Sequence, residues 1–281
     1  MPYTFVVNVV GTSDKIVIDR NNLPSTVPYK LFFKIKNQSL VTLYFRVLVN
    51  IDGWTLTEPS DGHLGSVDSG KETLFSIVME RSKPSSDLEE SGTIEIQAFT
   101  DSGYTNYIGS QSFNVTVIFV DVEGMDEVTM FDFNDGTKQG WETDGRTDVY
   151  DGKAVEAGGY CLRHYRTQVQ FDVEGYLSYA GLELPDRNRV YLSLYWTYWV
   201  YNEYCKLYYL RTKVNGDVVH ELLFPPLIGP ASTDVWLKLG IDISQYRGQK
   251  VNLMIEFKNY AQALGYVVEL CFDRIVIGGS D

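Results

Sequence analysis

Residues Lys30–Asn50 read KLFFKIKNQSLVTLYFRVLVN, and this stretch decides the fold class. Leu31, Phe33 and Ile35 alternate with lysines, which is the period-2 pattern of a strand with one buried face. After the turn-forming residues Asn37–Ser39, a second run rich in β-formers follows, TLYFRVLVN. The stretch therefore predicts two consecutive β-strands.

The same period continues along the chain, and no segment shows ten residues of clear helical periodicity. Seven short strands in about 120 residues are typical of an immunoglobulin-like sandwich. The segments before residue 122 that predict strands are Tyr3–Val10, Lys15–Asp19, Lys30–Lys36, Val41–Asn50, Glu72–Glu80, Gly92–Thr100 and Ser112–Asp121.

The chain length of 281 residues is about twice that of a common domain. A short polar segment, VEGMDEV at 122–128, lies near the middle. We therefore predict an all-β protein of two tandem β-sandwiches, with an Ig-like domain at 1–121, a linker at 122–128 and a second sandwich at 129–281.

The charge balance limits the kinds of partner that the protein can bind. Lys and Arg number 24 against 37 Asp and Glu, so the formal net charge is −13. This acidity argues against nucleic-acid binding and against binding to an anionic membrane, and it is compatible with bound cations. No apolar run approaches the ~18 residues that span a bilayer. The start of the chain shows no signal-peptide pattern, which leaves open a cytoplasmic chain, a mature secreted form or a particle component. We expect an extracellular, cell-surface or virion protein.

Two segments of the first domain resemble a known family. VDSGKE at Val67–Glu72 and ESGTIEI at Glu90–Ile96 are similar to the turn before strand E and to strand F of Ig-like domains in archaeal and bacterial surface proteins. The resemblance covers residues 3–121 and implies a spacer, adhesion or assembly module.

The second domain opens with MFDFNDGTKQGW at Met130–Trp141, which resembles the opening of galactose-binding-like jelly rolls. That group includes many carbohydrate-binding modules, so the resemblance implies a jelly roll over 129–281. The further segments that agree, in order, are Asp151–Val155 with Gly159–Leu162, Val235–Val251 and Tyr266–Ile277.

The resemblance also implies a structural calcium ion near the first and last strands, held by Asp132, Asn134 and Asp273 with Asp151 as an addition. Carboxylate and amide oxygens are ligands that calcium prefers. The chain departs from the family at Asn134, where Glu is common, and at Arg274, where a second acidic residue is common. Taken alone, the residues also allow Asx-turns without a metal, so both interpretations stay open.

Aromatic residues are concentrated in Tyr191–Leu210, which reads YLSLYWTYWVYNEYCKLYYL and has nine of them in twenty positions. With a turn at Asn202-Glu203, the segment predicts a hairpin that is apolar on both faces. A strand in a sandwich needs only one core face. We therefore expect a glycan, the first domain or another protein chain to cover the second face.

This hairpin and the uncharged loop Leu222–Pro230 supply the predicted binding residues. Aromatic rings would stack on sugar rings while a polar group reads hydroxyls. Tyr and Trp are also enriched at permanent protein interfaces, and core packing is a third interpretation, so self-association stays open. The predicted glycan- or partner-binding residues are Tyr191, Tyr195, Trp199, Tyr201, Tyr204, Arg211 and Phe224.

Sequence motifs for catalysis are absent, including G-x-S-x-G, the P-loop, G-x-G-x-x-G and H-E-x-x-H. The nearest carboxylate pair, Glu269 and Asp273, includes a residue already assigned to calcium. Cys161, Cys205 and Cys271 form no C-x-x-C motif, which leaves one disulfide or three thiols open.

We therefore predict a non-enzymatic structural or adhesion protein of a surface or particle, such as an appendage, envelope or virion. Its jelly roll would contact neighbouring subunits or a host glycan. The alternative is a carbohydrate-binding module that forms part of a secreted glycosidase or adhesin.

Overall fold

The computed structural model describes residues 3–10, 15–21, 23–166, 172–200, 205–223, 231–232, 236–261 and 268–281. Its contacts divide the chain into two compact units. Unit 1 comprises Met1–Ile16 and Asn22–Phe119, and unit 2 comprises Val17–Asn21 and Val120–Asp281. The segment 122–128, expected to be a linker, falls inside unit 2, as does the short N-terminal segment Val17–Asn21.

Unit 1 contains two antiparallel sheets. One has the strand order β1-β3-β7-β5, and the other has the order β6-β4-β8-β9. From Val17 onwards, β2 belongs to unit 2. The strands up to residue 120 are β1 (Phe5–Val10), β2 (Lys15–Asp19), β3 (Thr26–Asn37), β4 (Leu43–Ile51), β5 (Thr55–Glu58), β6 (His63–Val67), β7 (Glu72–Ser82), β8 (Leu88–Phe99) and β9 (Tyr107–Val120).

The core of unit 1 follows the alternation of its strands. Leu31, Phe33 and Ile35 of β3 are buried, as the period-2 pattern predicts. Phe45 of β4 and Ile96 of β8, in the second sheet, are buried as well. The sequence pattern misses β5 and β6, which have only four and five residues.

Unit 2 also contains two antiparallel sheets. The sheet called here the β15 sheet has the order β12-β13-β21-β15-β19, with β10 beside β21 and β18 beside β15. The β16 sheet has the order β11-β14-β20-β16-β17. The strands are β10 (Glu127–Phe131), β11 (Glu142–Thr143), β12 (Thr147–Tyr150), β13 (Cys161–Arg166), β14 (Asp172–Glu183), β15 (Arg189–Val200), β16 (Cys205–Val214), β17 (Asp217–Leu223), β18 (Ala231–Ser232), β19 (Leu237–Asp242), β20 (Lys250–Ala261) and β21 (Val268–Ser280).

Side chains from both sheets of unit 2 form one apolar core. Leu192 and Leu194 of β15 belong to it, together with Ile255 and Phe257 of β20. The described residues contain no α-helix, and among them no helix is long and apolar enough to cross a membrane. The prediction of an all-β chain with two tandem β-sandwiches is confirmed.

The predicted aromatic hairpin is wrong in its pairing. β15 pairs with β21 and β19, whereas β16 pairs with β17 and β20. The two strands therefore lie in different sheets. The physical reason is that each strand carries a core face, with Leu194 on β15 and Leu210 on β16 in the same core. Two opposed sheets bury both faces against each other.

Candidate functional site

The outward face of the β15 sheet carries the candidate site. Leu162 of β13 and Leu270 of β21 lie in the core. Because successive side chains of a strand point to opposite faces, Arg163 and Glu269 face away from the core. On β15, Trp196 lies in the core. Trp199 is three positions later in the same strand, so its side chain faces away from the core.

Strand pairing brings these outward side chains into rows. Tyr165 is opposite Glu269, and Glu269 is in turn opposite Trp199. Arg163 lies one row along, opposite Cys271. We call this group the aromatic face, and its members are Tyr150, Lys153, Arg163, Tyr165, Trp199 and Glu269.

The Arg163 guanidinium is held between two rings of the aromatic face. Its central carbon lies 3.5 Å from the ring centroid of Tyr150 and 4.7 Å from that of Tyr165. Both distances are within the range of cation–π attraction. The contacts fix the orientation of two rings and one cation relative to each other.

Glu269 supplies the negative charge at the centre of the aromatic face. Its carboxylate lies 2.8 Å from the Lys153 ammonium and 3.9 Å from the Arg163 guanidinium. Burial works to lower the pKa of Lys153, but the hydrogen bond to Glu269 and the attraction of its charge together raise the pKa. The face therefore combines ionised groups of both signs with aromatic rings.

Parts of the aromatic face are accessible. Tyr165 is 39% exposed, and Tyr150 and Trp199 are half-buried. A site of this kind offers apolar ring faces beside fixed donors and acceptors, which is the usual composition of a small-ligand site.

Two cysteines lie on the same side of the β15 sheet as the aromatic face. Cys161 and Cys271 are buried free thiols. Their mutual hydrogen bond and their burial raise the pKa of Cys271. A thiol with a raised pKa is a poor nucleophile, so the pair offers no obvious covalent chemistry.

The predicted binding role is wrong for Tyr191 and Tyr195, because their side chains are buried and only 4% and 5% exposed. The Lys238 ammonium lies 4.6 Å from the centroid of the Tyr195 ring. Tyr191 is opposite Gly278, where an added Cβ would lie 2.4 Å from the Val122 carbonyl oxygen. The chain itself covers this end of the strand, so neither ring can stack on a ligand.

The other predicted residues are dispersed. Trp199 belongs to the aromatic face, whereas Arg211 lies on β16, in the other sheet. Tyr201, Tyr204 and Phe224 lie outside the described residues. The predicted set is therefore not one site.

Arg211 is engaged in an ion network of the β16 sheet. Its guanidinium lies 3.8 Å from the ring centroid of Tyr209 and forms ion pairs with Glu221 and Glu256. Lys213 also pairs with Glu256. Burial works to raise the pKa of Glu256, but the contacts with Lys213, Tyr209 and Arg211 together lower it. These ion pairs join the neighbouring strands β17, β16 and β20.

Sequence reasoning missed Tyr150, Arg163 and Tyr165. The signal was present in Cys161–Arg166, CLRHYR, where the alternation puts Arg163 and Tyr165 on one face. Their proximity to Trp199 depends on the strand order β13-β21-β15, which joins segments about 100 and about 70 residues apart and has no local signature.

The predicted calcium ligands are partly brought together. The Asp273 carboxylate is 2% exposed and accepts the Val155 N–H at 2.8 Å. The side-chain oxygen of Asn134 accepts the Tyr160 N–H at 3.2 Å, so both residues border the same loop. Asp132 is close enough to contribute to the pKa of Asp273. Asp151 is exposed, in contrast to the buried Asp273.

Asp132, Asn134 and Asp273 offer oxygen donors of the type that calcium prefers. Burial first, and the Asp132 carboxylate to a smaller extent, raise the pKa of Asp273 to about 6. A cation would relieve both effects. Calcium takes about 6–8 oxygens, so backbone carbonyls and water would have to complete the shell. No group of three His, Cys, Asp or Glu side chains arranged for a metal occurs among the described residues, and calcium stays a prediction.

Comparisons with known proteins give fold-level likeness. No protein-family model and no curated protein matches the sequence. Among solved structures, CBM27-1 of Caldicellulosiruptor saccharolyticus in complex with mannohexaose matches 55% of this chain and 98% of its own, at 13% identity and a TM-score of 0.39. The K1 cleaved adhesin domain of Lys-gingipain from Porphyromonas gingivalis W83 matches 55% of this chain and 99% of its own, at 14% identity and a TM-score of 0.37.

A further match is a carbohydrate-binding module of the β-sandwich superfamily, which covers 98% of this chain and 97% of its own at 13% identity and a TM-score of 0.33. Likeness at these values carries no functional conclusion.

Proposed function

We propose that the protein is a non-catalytic module that binds carbohydrate on the aromatic face of unit 2. The observation that carries the proposal is the row Tyr165–Glu269–Trp199, with Arg163 held beside it between two tyrosine rings. Sugar rings have apolar C–H faces and polar hydroxyl edges. The row offers an aromatic group at each end and a carboxylate between them.

The charged groups of the aromatic face include both signs, which supports binding of a ligand with many hydroxyl groups. Lys153 and Arg163 both approach Glu269, so two cationic side chains lie beside one carboxylate. Donors and acceptors are therefore present together, which is what a set of hydroxyl groups requires. The hydrogen bonds and ion pairs also pre-organise the side chains, which reduces the entropy cost of binding.

The first unit would act as a spacer in such a protein. Its strand orders β1-β3-β7-β5 and β6-β4-β8-β9 correspond to the two-sheet arrangement of an Ig-like domain. Together with the binding face, this arrangement supports a role in adhesion at a cell surface or on an appendage, envelope or virion.

The experiment is a screen of the full chain against an array of plant, algal and bacterial polysaccharides, followed by calorimetry on the positives. Trp199→Ala and Tyr165→Ala should each weaken binding at least about tenfold. Tyr176→Ala is the matched control, because Tyr176 is a similarly exposed tyrosine (38%) on the β16 sheet. Binding lost equally in all three variants, or in none, contradicts the proposal.

A second function, assembly with protein subunits, is favoured by a different observation. Leu40 and Val41, between β3 and β4, are 72% and 44% exposed. Adjacent exposed apolar side chains are common at protein contacts. Light scattering at increasing protein concentration tests self-assembly. A wild-type chain that stays strictly monomeric, with no difference from Leu40→Ser, argues against this function.

A further inference from the structure

A buried lysine and a buried aspartate face each other on neighbouring strands of unit 2. Val17 of β2 pairs with Gly240 of β19 in antiparallel fashion, and this register places Asp19 directly opposite Lys238. The Lys238 Nζ lies 2.9 Å from the Asp19 Oδ2. The two side chains are only 7% and 0% exposed.

The surroundings of this pair are unusual for an ordinary ion pair. The Asp19 Oδ2 is buried and forms no hydrogen bond of acceptable geometry, despite the nearby ammonium. Its second oxygen, Oδ1, accepts the Asn21 N–H at 3.1 Å, which fixes the orientation of the carboxylate. The Tyr195 ring lies against the ammonium, with its centroid 4.6 Å away. Burying two charges in this way is costly, and the attraction between them often fails to offset the cost.

A third group completes the arrangement. The Glu123 Oε1 lies 3.8 Å from the Lys238 Nζ, and it is buried without a hydrogen-bond partner. The other oxygen of Glu123 is 2.7 Å from the Arg274 guanidinium, which holds the carboxylate in place. An amine, a carboxyl group and a positioned second carboxylate therefore meet at a point where the Lys238 and Asp19 side chains have little access to water.

The backbone is built to hold the strands at this distance. An added Cβ on Gly240 would lie 2.7 Å from the Val17 carbonyl oxygen, so the close approach of β2 requires glycine at this position. The Arg20 N–H donates to the Val120 carbonyl at 2.8 Å, which fixes the far end of the segment. Asp19 cannot withdraw from Lys238 without loss of these contacts.

From this geometry we infer that Lys238 and Asp19 condense to an intramolecular isopeptide bond, with Glu123 as the catalytic residue. A proton first passes from the Lys238 ammonium to the Asp19 carboxylate, which gives a neutral amine and a neutral acid. The amine nitrogen then attacks the Asp19 Cγ and forms the C–N bond. Glu123 takes a proton from that nitrogen and delivers it to the leaving hydroxyl.

The Cγ–OH bond breaks, one water molecule leaves, and Glu123 returns to its carboxylate form. The step needs no oxidant, reductant or other reactant. The product replaces two buried charges by one neutral amide and ties β2 to β19. Low access to water favours the amide, because the expelled water is not readily replaced.

Intact-mass spectrometry of the denatured full chain tests the inference directly. The expected mass is lower than the sequence mass by one water molecule, and digestion should give a branched peptide that joins Asp19 to Lys238. A wild-type chain at the full sequence mass, after prolonged incubation at neutral pH, overturns the inference without reference to any variant.

Variants locate the reaction. Glu123→Gln should restore the full mass while circular dichroism shows a folded β protein, and Lys238→Arg should do the same. Asp19→Asn should release ammonia rather than water and give the same cross-linked product. Lys213→Arg is the matched control, because Lys213 also pairs with a glutamate in unit 2, and it should keep the deficit of one water. A deficit that persists in Lys238→Arg places the water loss elsewhere and overturns the assignment.

Discussion

Two ends of the same face of β15 lie in different environments. At Tyr195 the face is buried against Lys238, and the chain leaves only 5% of the tyrosine exposed. At Trp199, four residues later, the face is half-buried beside Glu269 and opens towards Tyr165. Both residues are aromatic, and the alternation of the strand directs both side chains away from the core. The sequence pattern alone therefore does not distinguish them.

The difference arises from which segments lie next to β15. At the buried end, β19 and the N-terminal segment Val17–Asn21 bring charged side chains over the strand. At the open end, β21 and β13 contribute Glu269 and Arg163 in the plane of the same face. An aromatic face therefore becomes structural or ligand-accessible according to long-range strand order, which local sequence does not encode.

The largest expected effect concerns the buried end. Lys238→Ala leaves the Asp19 carboxylate buried without Lys238, whether Lys238 is its ion-pair partner or the amine of the inferred amide, so we expect a loss of about 3–5 kcal/mol in the free energy of unfolding. Urea denaturation followed by circular dichroism measures it. Trp199→Ala, at the open end, should lose less than half as much. Equal losses in the two variants would remove the distinction between the ends.

Ligand affinity gives the converse test. Trp199→Ala should raise the Kd for a polysaccharide ligand at least about tenfold, which corresponds to about 1.4 kcal/mol. Tyr195→Phe keeps a ring in the buried position and should leave the Kd unchanged. Calorimetry on both variants decides, and a weaker Kd in Tyr195→Phe would show that the buried end also takes part in binding.

The sequence alone predicts much of the fold and little of the site. Alternating patterns such as Leu31, Phe33 and Ile35 depend on neighbours two positions apart, so they identify strands and their core faces. The pairing of β15 with β21 rather than β16 depends on segments far apart in the chain, and the hairpin prediction failed for this reason. The aromatic content at Trp199 was visible, whereas its neighbours Arg163 and Tyr165 come together only through that pairing.

The stability of unit 2 should depend on pH through His220 of β17, a strand of the β16 sheet. His220 lies opposite Thr212, and its Nε2 is buried without a hydrogen-bond partner. This loss of solvation lowers the pKa of His220 to about 4 from 6.5. The folded state therefore disfavours the proton, so the stability contribution is complete above pH ~6.5 and is lost as the pH falls towards ~4.

We expect up to about 3 kcal/mol of acid destabilisation from this residue. The measurement is the free energy of unfolding across that range for the wild type and for His220→Gln, in which the loss should be reduced. His63→Gln is the control, because His63 is exposed. An unchanged pH profile in His220→Gln would show that His220 is not the source.

The smallest expected effect concerns calcium. The pKa of Asp273 is raised to about 6 from 3.8, so without a cation this residue lowers stability as the pH rises from ~4 to ~6. Added calcium should raise the melting temperature at pH 7 by a few degrees, about the size of a weak binding linkage. Asp273→Asn should abolish the increase, and a wild-type melting temperature that neither calcium nor chelator changes contradicts the predicted site.

The central claim, that the open end of this face binds carbohydrate, is tested most directly by the tryptophan indole N–H signals in a ¹⁵N–¹H spectrum during titration with a bound oligosaccharide. Trp199→Phe assigns the Trp199 signal. We predict that this signal shifts on titration, while those of Trp54 and Trp141, which are 6% and 3% exposed, stay in place. A protein that binds the oligosaccharide while the Trp199 signal does not move would contradict the account.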